Sequence, residues 1–314
     1  MPLHILFLII FTSFQIKAGT YEDTFFRFIS DSYSKLISQK NTIQTSDVKS
    51  FLMKPKNNEQ RKCQQFLAPL QTKNKISIGY HIGYSDSHRD TVTDIYERKA
   101  MMAFLLSPCT DNKVICGFLP AQGQNNVFFK NVNNLSGQSL QIEISLYDSS
   151  LTTSNKLNIN NREQYVKSEV SRQSFIKALM EKDIIIYSGH SRYGGGPDFY
   201  PKPFAYDENE KLEAIYYKKQ QRGYRDMILT LNERNKKGLY PPMMIMLNSC
   251  DSNLHFANIL NNKNYSPIMT FLTKKEITIY DAIPQFLGLL RLILTQTCPE
   301  SFESYFNTHS IYLK

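Results

Sequence analysis

Apolar and polar positions change rhythm three times along the chain. From Tyr21 to Ile37, Phe25, Phe26, Phe28, Ile29, Tyr33, Leu36 and Ile37 recur at helical spacing, which predicts one amphipathic helix. The stretch from Gln39 to Lys62 is polar, charged and carries Pro55, and it reads as a loop or linker; a removable pro-segment is the competing reading. From Lys75 the pattern turns to strands: ISIGYHIGYSD, then an amphipathic stretch over Thr91 to Leu106, then KVICGFLP, NNVFFKNV and SLQIEISLYDSS. In the last of these Leu140, Ile142, Ile144 and Leu146 alternate onto one face. After Asp148 a polar loop leads into a helix over Arg162 to Lys182, the apolar strand IIIYS, a glycine-rich loop and a long polar connection. A helix over Gly223 to Lys237, the strand MMIMLN, a helix over Ser252 to Leu260, the strand PIMTFLT and a helix over Asp281 to Cys298 complete the order. Unbroken apolar strands between helices are the mark of a parallel sheet covered on both faces, so the fold class is α/β, mostly parallel. In domains, residues 19–74 read as an N-terminal helix and linker, and 75–314 as the α/β unit.

Composition adds compartment and excludes some partners. With 314 residues and 41% hydrophobic content the chain can bury a full core. Residues 1–18 combine an apolar run from Ile5 to Phe14 with Ile16-Lys17-Ala18, the pattern of a cleaved signal peptide, and predict a periplasmic or secreted protein. The helix from Asp281 is broken by Pro284, Gly288 and Arg291, so no stable membrane span is expected there. A net charge of +9 is spread in short clusters that join no nucleic-acid-binding module, so no nucleic acid is expected as partner. Five Cys, at 63, 109, 116, 250 and 298, leave at least one unpaired in a monomer. Cys109 and Cys116 flank the polar turn in CTDNKVIC and suit a local bridge; a Cys63–Cys298 bridge would then tie the front of the chain to its last helix and leave Cys250 free. That is one of the three pairings four Cys allow.

Candidate chemistry sits at two strand ends. The segment DIIIYSGHSRYGGGPDF delivers His190, and PPMMIMLNSCDSNLHF delivers Cys250 at the entry to a helix. In an open parallel sheet, ligands bind at the carboxyl ends of strands, and neighbouring strands lie about 4.8 Å apart. A Cys at a helix N-terminus beside an imidazole is a nucleophile with its base. His255, five residues after Cys250, is the rival base or a partly buried structural residue. His81 and His88 have no metal-site spacing, so no metal is expected. GGGP is followed by loop rather than helix, which speaks against phosphate-loop or dinucleotide chemistry, and no cofactor is expected.

A strand ending in Gly189-His190 and a second ending in Ser249-Cys250 resemble the caspase-like clan of cysteine peptidases over roughly residues 141–273. The resemblance implies a three-layer sandwich, a peptide or protein substrate, His190 as base and Cys250 as nucleophile of acyl transfer. It also implies an oxyanion hole from the backbone N–H of the Cys and of a Gly beside the His. This chain reads Ser191 where the family has that Gly, which shifts the expectation to Gly189 or to Gly194, Gly195 and Gly196 in a loop that folds back. By the same resemblance Asp198 would hold a basic substrate side chain, with a salt bridge to Arg192 as its structural alternative. Arg192 would grip a carboxylate or make that bridge. The competing function is an inactive caspase-fold binding or scaffolding protein of the cell envelope.

Overall fold

The computed structural model describes residues 58–86, 91–109, 114–202, 210–262, 267, 269–277, 279–298 and 311–313, with single helical positions at 27 and 31. The proposed signal peptide, most of the first helix and linker, and His88 lie outside the described residues. Among the described residues eight strands form one sheet: β1 (Lys75–Ile82), β2 (Leu119–Ala121), β3 (Gln124–Asn133), β4 (Ser139–Tyr147), β5 (Ile184–Ser188), β6 (Met244–Asn248), β7 (Met269–Thr273) and β8 (Ile311–Leu313). Their spatial order is β2-β3-β4-β1-β5-β6-β7-β8. The five central strands, β4, β1, β5, β6 and β7, are mutually parallel; β2 and β3 add an antiparallel edge on one side and β8 one on the other.

The period of two within the central strands divides the core. Ile184 and Ile186, with Met244, Met246, Met269, Phe271 and Ile76, Ile78 and Tyr80, face one layer of helices: α1 (Asn58–Leu67), α2 (Asp94–Leu106) and, at the chain's end, the helix Ile279–Thr295. Ile185, Tyr187, Ile245, Leu247 and Leu272 face the other layer. Those helices follow α3 (Asn155–Ile159) and are α4 (Arg162–Glu181), α6 (Arg222–Lys236) and α7 (Ser252–Leu260); α5 (Glu210–Gln220) lies between α4 and α6 in sequence, and the chain-end helix is α8. Every residue of β5, β6 and β7 is buried, which is why these strands carry continuous apolar runs. The result is an α/β three-layer sandwich, and no helix among the described residues is long and apolar enough to cross a membrane.

Several boundaries differ from the sequence pattern. Helix α1 begins at Asn58, inside the stretch read as linker, because Cys63, Phe66 and Leu67 are fully buried against the sheet. Helix α5 falls in the stretch whose pattern predicts a polar connection: Leu212 and Ile215 point to solvent, and only the unlike pair Glu213 and Tyr217 is buried, so no apolar stripe announces it. Among the described residues of KVICGFLP only Leu119 and Pro120 are strand, in Leu119–Ala121; Ile115, Cys116 and Phe118 are buried without sheet pairing. Cysteines pair as Cys63–Cys298 and Cys109–Cys116, which is one of the three pairings the sequence left open, and Cys250 is free. Two disulfides fit an oxidising, extracellular compartment.

One buried acid gives the fold a pH dependence. Glu97 of α2 is 1% exposed and accepts a hydrogen bond from the Tyr80 hydroxyl of β1. Burial, and behind it the charge of Asp94, push the Glu97 carboxyl up to about 8 against that hydrogen bond. A carboxyl raised in the folded state favours folding fully below its unfolded value and loses that contribution as pH rises through its folded value. Glu97→Gln keeps the acceptor for Tyr80 and cannot ionise. Its stability relative to wild type is expected to rise between pH 5 and pH 8, by on the order of a few kcal/mol, in urea titrations at each pH.

Candidate functional site

The sheet ladder runs past the strand ends and brings the two candidate residues to one height. Ser188 of β5 is in register with Asn248 of β6. Beyond that pair the Gly189 N–H donates to the Asn248 carbonyl at 3.1 Å, and the Gly83 N–H beyond β1 donates to the Ser188 carbonyl at 2.8 Å. His190 and Cys250, each two residues past its strand, therefore top neighbouring parallel strands. Gly189 is required there: a Cβ would stand 2.6 Å from the Tyr187 hydroxyl and 3.0 Å from the Gly83 Cα.

The chain after His190 closes into a tight turn. Gly194 and Gly196 N–H groups donate to the Ser191 carbonyl, and Gly195 N–H to that of Arg192. Arg192 and Tyr193 take the left-handed region at φ 46° and 53°, a conformation that costs non-glycine residues about 1–3 kcal/mol and persists only when neighbours enforce it. Enforcement comes from carboxylates. The Arg192 side chain is 2% exposed; it donates to Asp86 through Nη2 at 3.0 Å and to Asp198 through Nε at 3.0 Å, lies 3.8 Å from Glu213 of α5, and stacks over the Tyr217 ring. Of the two roles open to Arg192, the bridge to Asp198 is the one the structure forms, and Asp198 is likewise committed to it.

Gly189, Gly194, Gly195 and Gly196 have no N–H left for an oxyanion, contrary to the expectation from the resemblance. The N–H groups of Gly194, Gly195 and Gly196 are taken up inside the turn and that of Gly189 in the sheet ladder. Space explains the run instead: Gly194 has φ 89° with the His255 ring beneath it, and a Cβ on Gly195 would stand 2.5 Å from the Tyr217 carbonyl. Among the described residues, the N–H groups of Ser191 and Cys250 are engaged by no acceptor. Ser191 has φ −76° and ψ −18°, which any L residue adopts, so a Gly is not needed to present that N–H.

Cys250 occupies a sharp passage from β6 into α7. Asp251 turns the chain at φ 50°, and the Ser252 N–H closes back on the Ser249 carbonyl at 3.2 Å. The half-buried thiol donates to the Ile277 carbonyl at 3.7 Å; no hydrogen bond joins Cys250 and His190. His190, its side chain 26% exposed, instead places Nε2 3.2 Å from the Asp86 carboxylate. Burial and the Arg192 charge lower the His190 pKa below its ordinary 6.5, more than the bond and charge of Asp86 raise it. Burial also opposes ionisation of Asp86, but Arg192 and the His190 hydrogen bond outweigh it and hold that carboxyl well below the usual range.

Asp86 is the residue that sequence reading missed. It lies four residues past β1, in GYSD, and the signal that would have found it is the strand order, since β1 is the other neighbour of β5. His255 is partly buried against Gly194, behind the turn. His81 is fully buried between Tyr147 and Phe175, with Nδ1 3.2 Å from the Ser174 hydroxyl. Among the described residues no group of three or more His, Cys, Asp and Glu side chains is placed to hold a metal ion. A cavity of about 500 Å³ lies beside the turn, lined by Tyr165, Glu169, Asp198, Tyr200, Tyr217 and Arg222 among others; neither His190 nor Cys250 lines it.

Fold and site together define an α/β protein with a histidine, a free cysteine and a buried aspartate at adjoining carboxyl ends of a parallel sheet. Compared with known proteins, the chain matches no family model, no curated protein and no solved structure.

Proposed function

We propose that the chain is an exported cysteine peptidase-like hydrolase of the caspase-like type, acting on peptide or amide bonds through His190 and Cys250. The observation that supports this reading is the register of β5 on β6, whose carboxyl ends lead, two residues on, to a histidine and to the one free cysteine of the described residues, at the end of the sheet where such folds bind ligands. His190 takes the thiol proton as Cys250 Sγ attacks the substrate carbonyl carbon. The uncommitted N–H groups of Ser191 and Cys250 are the donors this reading assigns to the resulting oxyanion. Collapse of the intermediate breaks the C–N bond, and the imidazolium returns its proton to the leaving amine. A thioester on Cys250 remains; water, losing a proton to His190, attacks it and releases the acid and the thiol. Export would run through cleavage after residues 1–18.

The thiol's bond to Ile277 rather than to His190 favours a second reading, an inactive binding or scaffolding protein on the same fold. Peptidyl electrophiles of mixed sequence separate the two. Native protein is expected to take up one adduct, mapped by mass spectrometry to Cys250 and lost on prior denaturation. Labelling of Cys250 no faster in the native than in the unfolded chain would leave the binding protein as the better account.

A further inference from the structure

We infer that Asp86 is the positioning residue of this site, fixing which nitrogen of His190 acts as base, and that Arg192 holds Asp86 to the task. The inference rests on the reading of His190 as a base. The Asp86 side chain is fully buried, and its oxygens receive Arg192 Nη2 at 3.0 and 3.1 Å, the Lys202 backbone N–H at 3.3 Å and His190 Nε2 at 3.2 Å. An ionised carboxylate has no hydrogen to give, so the hydrogen of the contact belongs to Nε2. In the neutral ring Nδ1 is then left as the lone-pair nitrogen. A proton abstracted from the thiol arrives at Nδ1, and the charge formed is faced by Asp86 on the opposite edge of the ring.

Arg192 explains why this carboxylate stays charged although its side chain is buried. A lone buried carboxylate would take up a proton and could then donate to the ring, reversing the tautomer. The guanidinium contacts both of its oxygens, and is itself locked by Asp198 from its own loop, Glu213 from α5 and the Tyr217 ring. Arg192 follows His190 by two residues, so the loop that carries the base also holds the acid that orients it. A buried ion cluster can also exist for packing alone. The two roles differ in what they do to the imidazole.

Long-range ¹⁵N–¹H spectra of the full chain at pH 7, with His190 identified by its loss in His190→Gln, read the tautomer directly. The inference requires hydrogen on Nε2 and a bare Nδ1; hydrogen on Nδ1 overturns it, and this measurement needs no variant at Asp86. Asp86→Asn removes the charge at constant shape. It is expected to mix the tautomers, move the His190 titration to lower pH, and slow acylation of Cys250 about 10²–10³-fold, with Asp86→Glu recovering part of each. An Asp86→Asn protein that folds and keeps the tautomer, titration and rate of wild type also overturns the inference. If the tautomer shifts while wild type itself forms no acyl-enzyme, positioning stands and the peptidase reading falls.

Discussion

His190→Ala is expected to slow acylation of Cys250 by a peptide ester by about 10²–10⁴-fold, the range that a positioned general base contributes. The protein should still fold, because the imidazole sits on a loop, a quarter exposed, and belongs to neither hydrophobic cluster. The loss should fall on the acylation rate rather than on substrate affinity, since the base acts on the reacting thiol. In wild type, the low pKa of His190 keeps the ring neutral into mild acid, so the acid limb of the rate profile is expected below pH 6.5. His255→Ala is the matched control: its ring lies against Gly194 behind the turn, and its removal should change the rate only a few-fold. Single-turnover kinetics of the three proteins, read by release of the alcohol, check both statements. Equal losses for the two variants would mean that the turn, and not the imidazole, is what the rate depends on.

The largest stability effect is expected from the Cys63–Cys298 bridge. It joins α1 to the residues after α8 across a sequence separation of 235, and loop-closure entropy for such a loop is about 5 kcal/mol. Cys63 is also fully buried beside Phe66 and Leu67, so opening the bridge loosens the packing of α1 on the sheet. Replacing both residues by Ala should lower the thermal midpoint by roughly 5–10 °C for a chain of this size. The Cys109–Cys116 bridge closes a separation of only 7, worth about 2 kcal/mol by the same reasoning, and its removal should cost much less. Thermal denaturation of the two double variants under non-reducing conditions ranks them. A midpoint within a few degrees of wild type for the Cys63/Cys298 variant would show that α1 docks without the bridge.

Legibility in the sequence followed burial. Strands β5, β6 and β7 could be read because both faces are covered and every position is buried, and β4 because Leu140, Ile142, Ile144 and Leu146 alternate. His190 and Cys250 could be found because each directly follows such a strand. Strand order could not be read, since nothing local to Lys75–Ile82 says that it enters between β4 and β5. For that reason Asp86, more than 100 residues from His190, reads in sequence only as the polar end of the strand segment ISIGYHIGYSD. Arg192 was legible as a charge beside the histidine, but its partners come from three separate segments, at Asp86, Asp198 and Glu213. Helix α5 was hidden for a related reason, because its buried face meets that guanidinium rather than an apolar core.

Cleavage of a peptide library by the wild-type chain, run beside Cys250→Ala and followed by mass spectrometry of new termini, tests the central claim most directly. The account predicts cleavage at a restricted set of bonds by wild type and none by Cys250→Ala. Cleavage of the same bonds at the same rate by Cys250→Ala, or no cleavage by either protein, would contradict it.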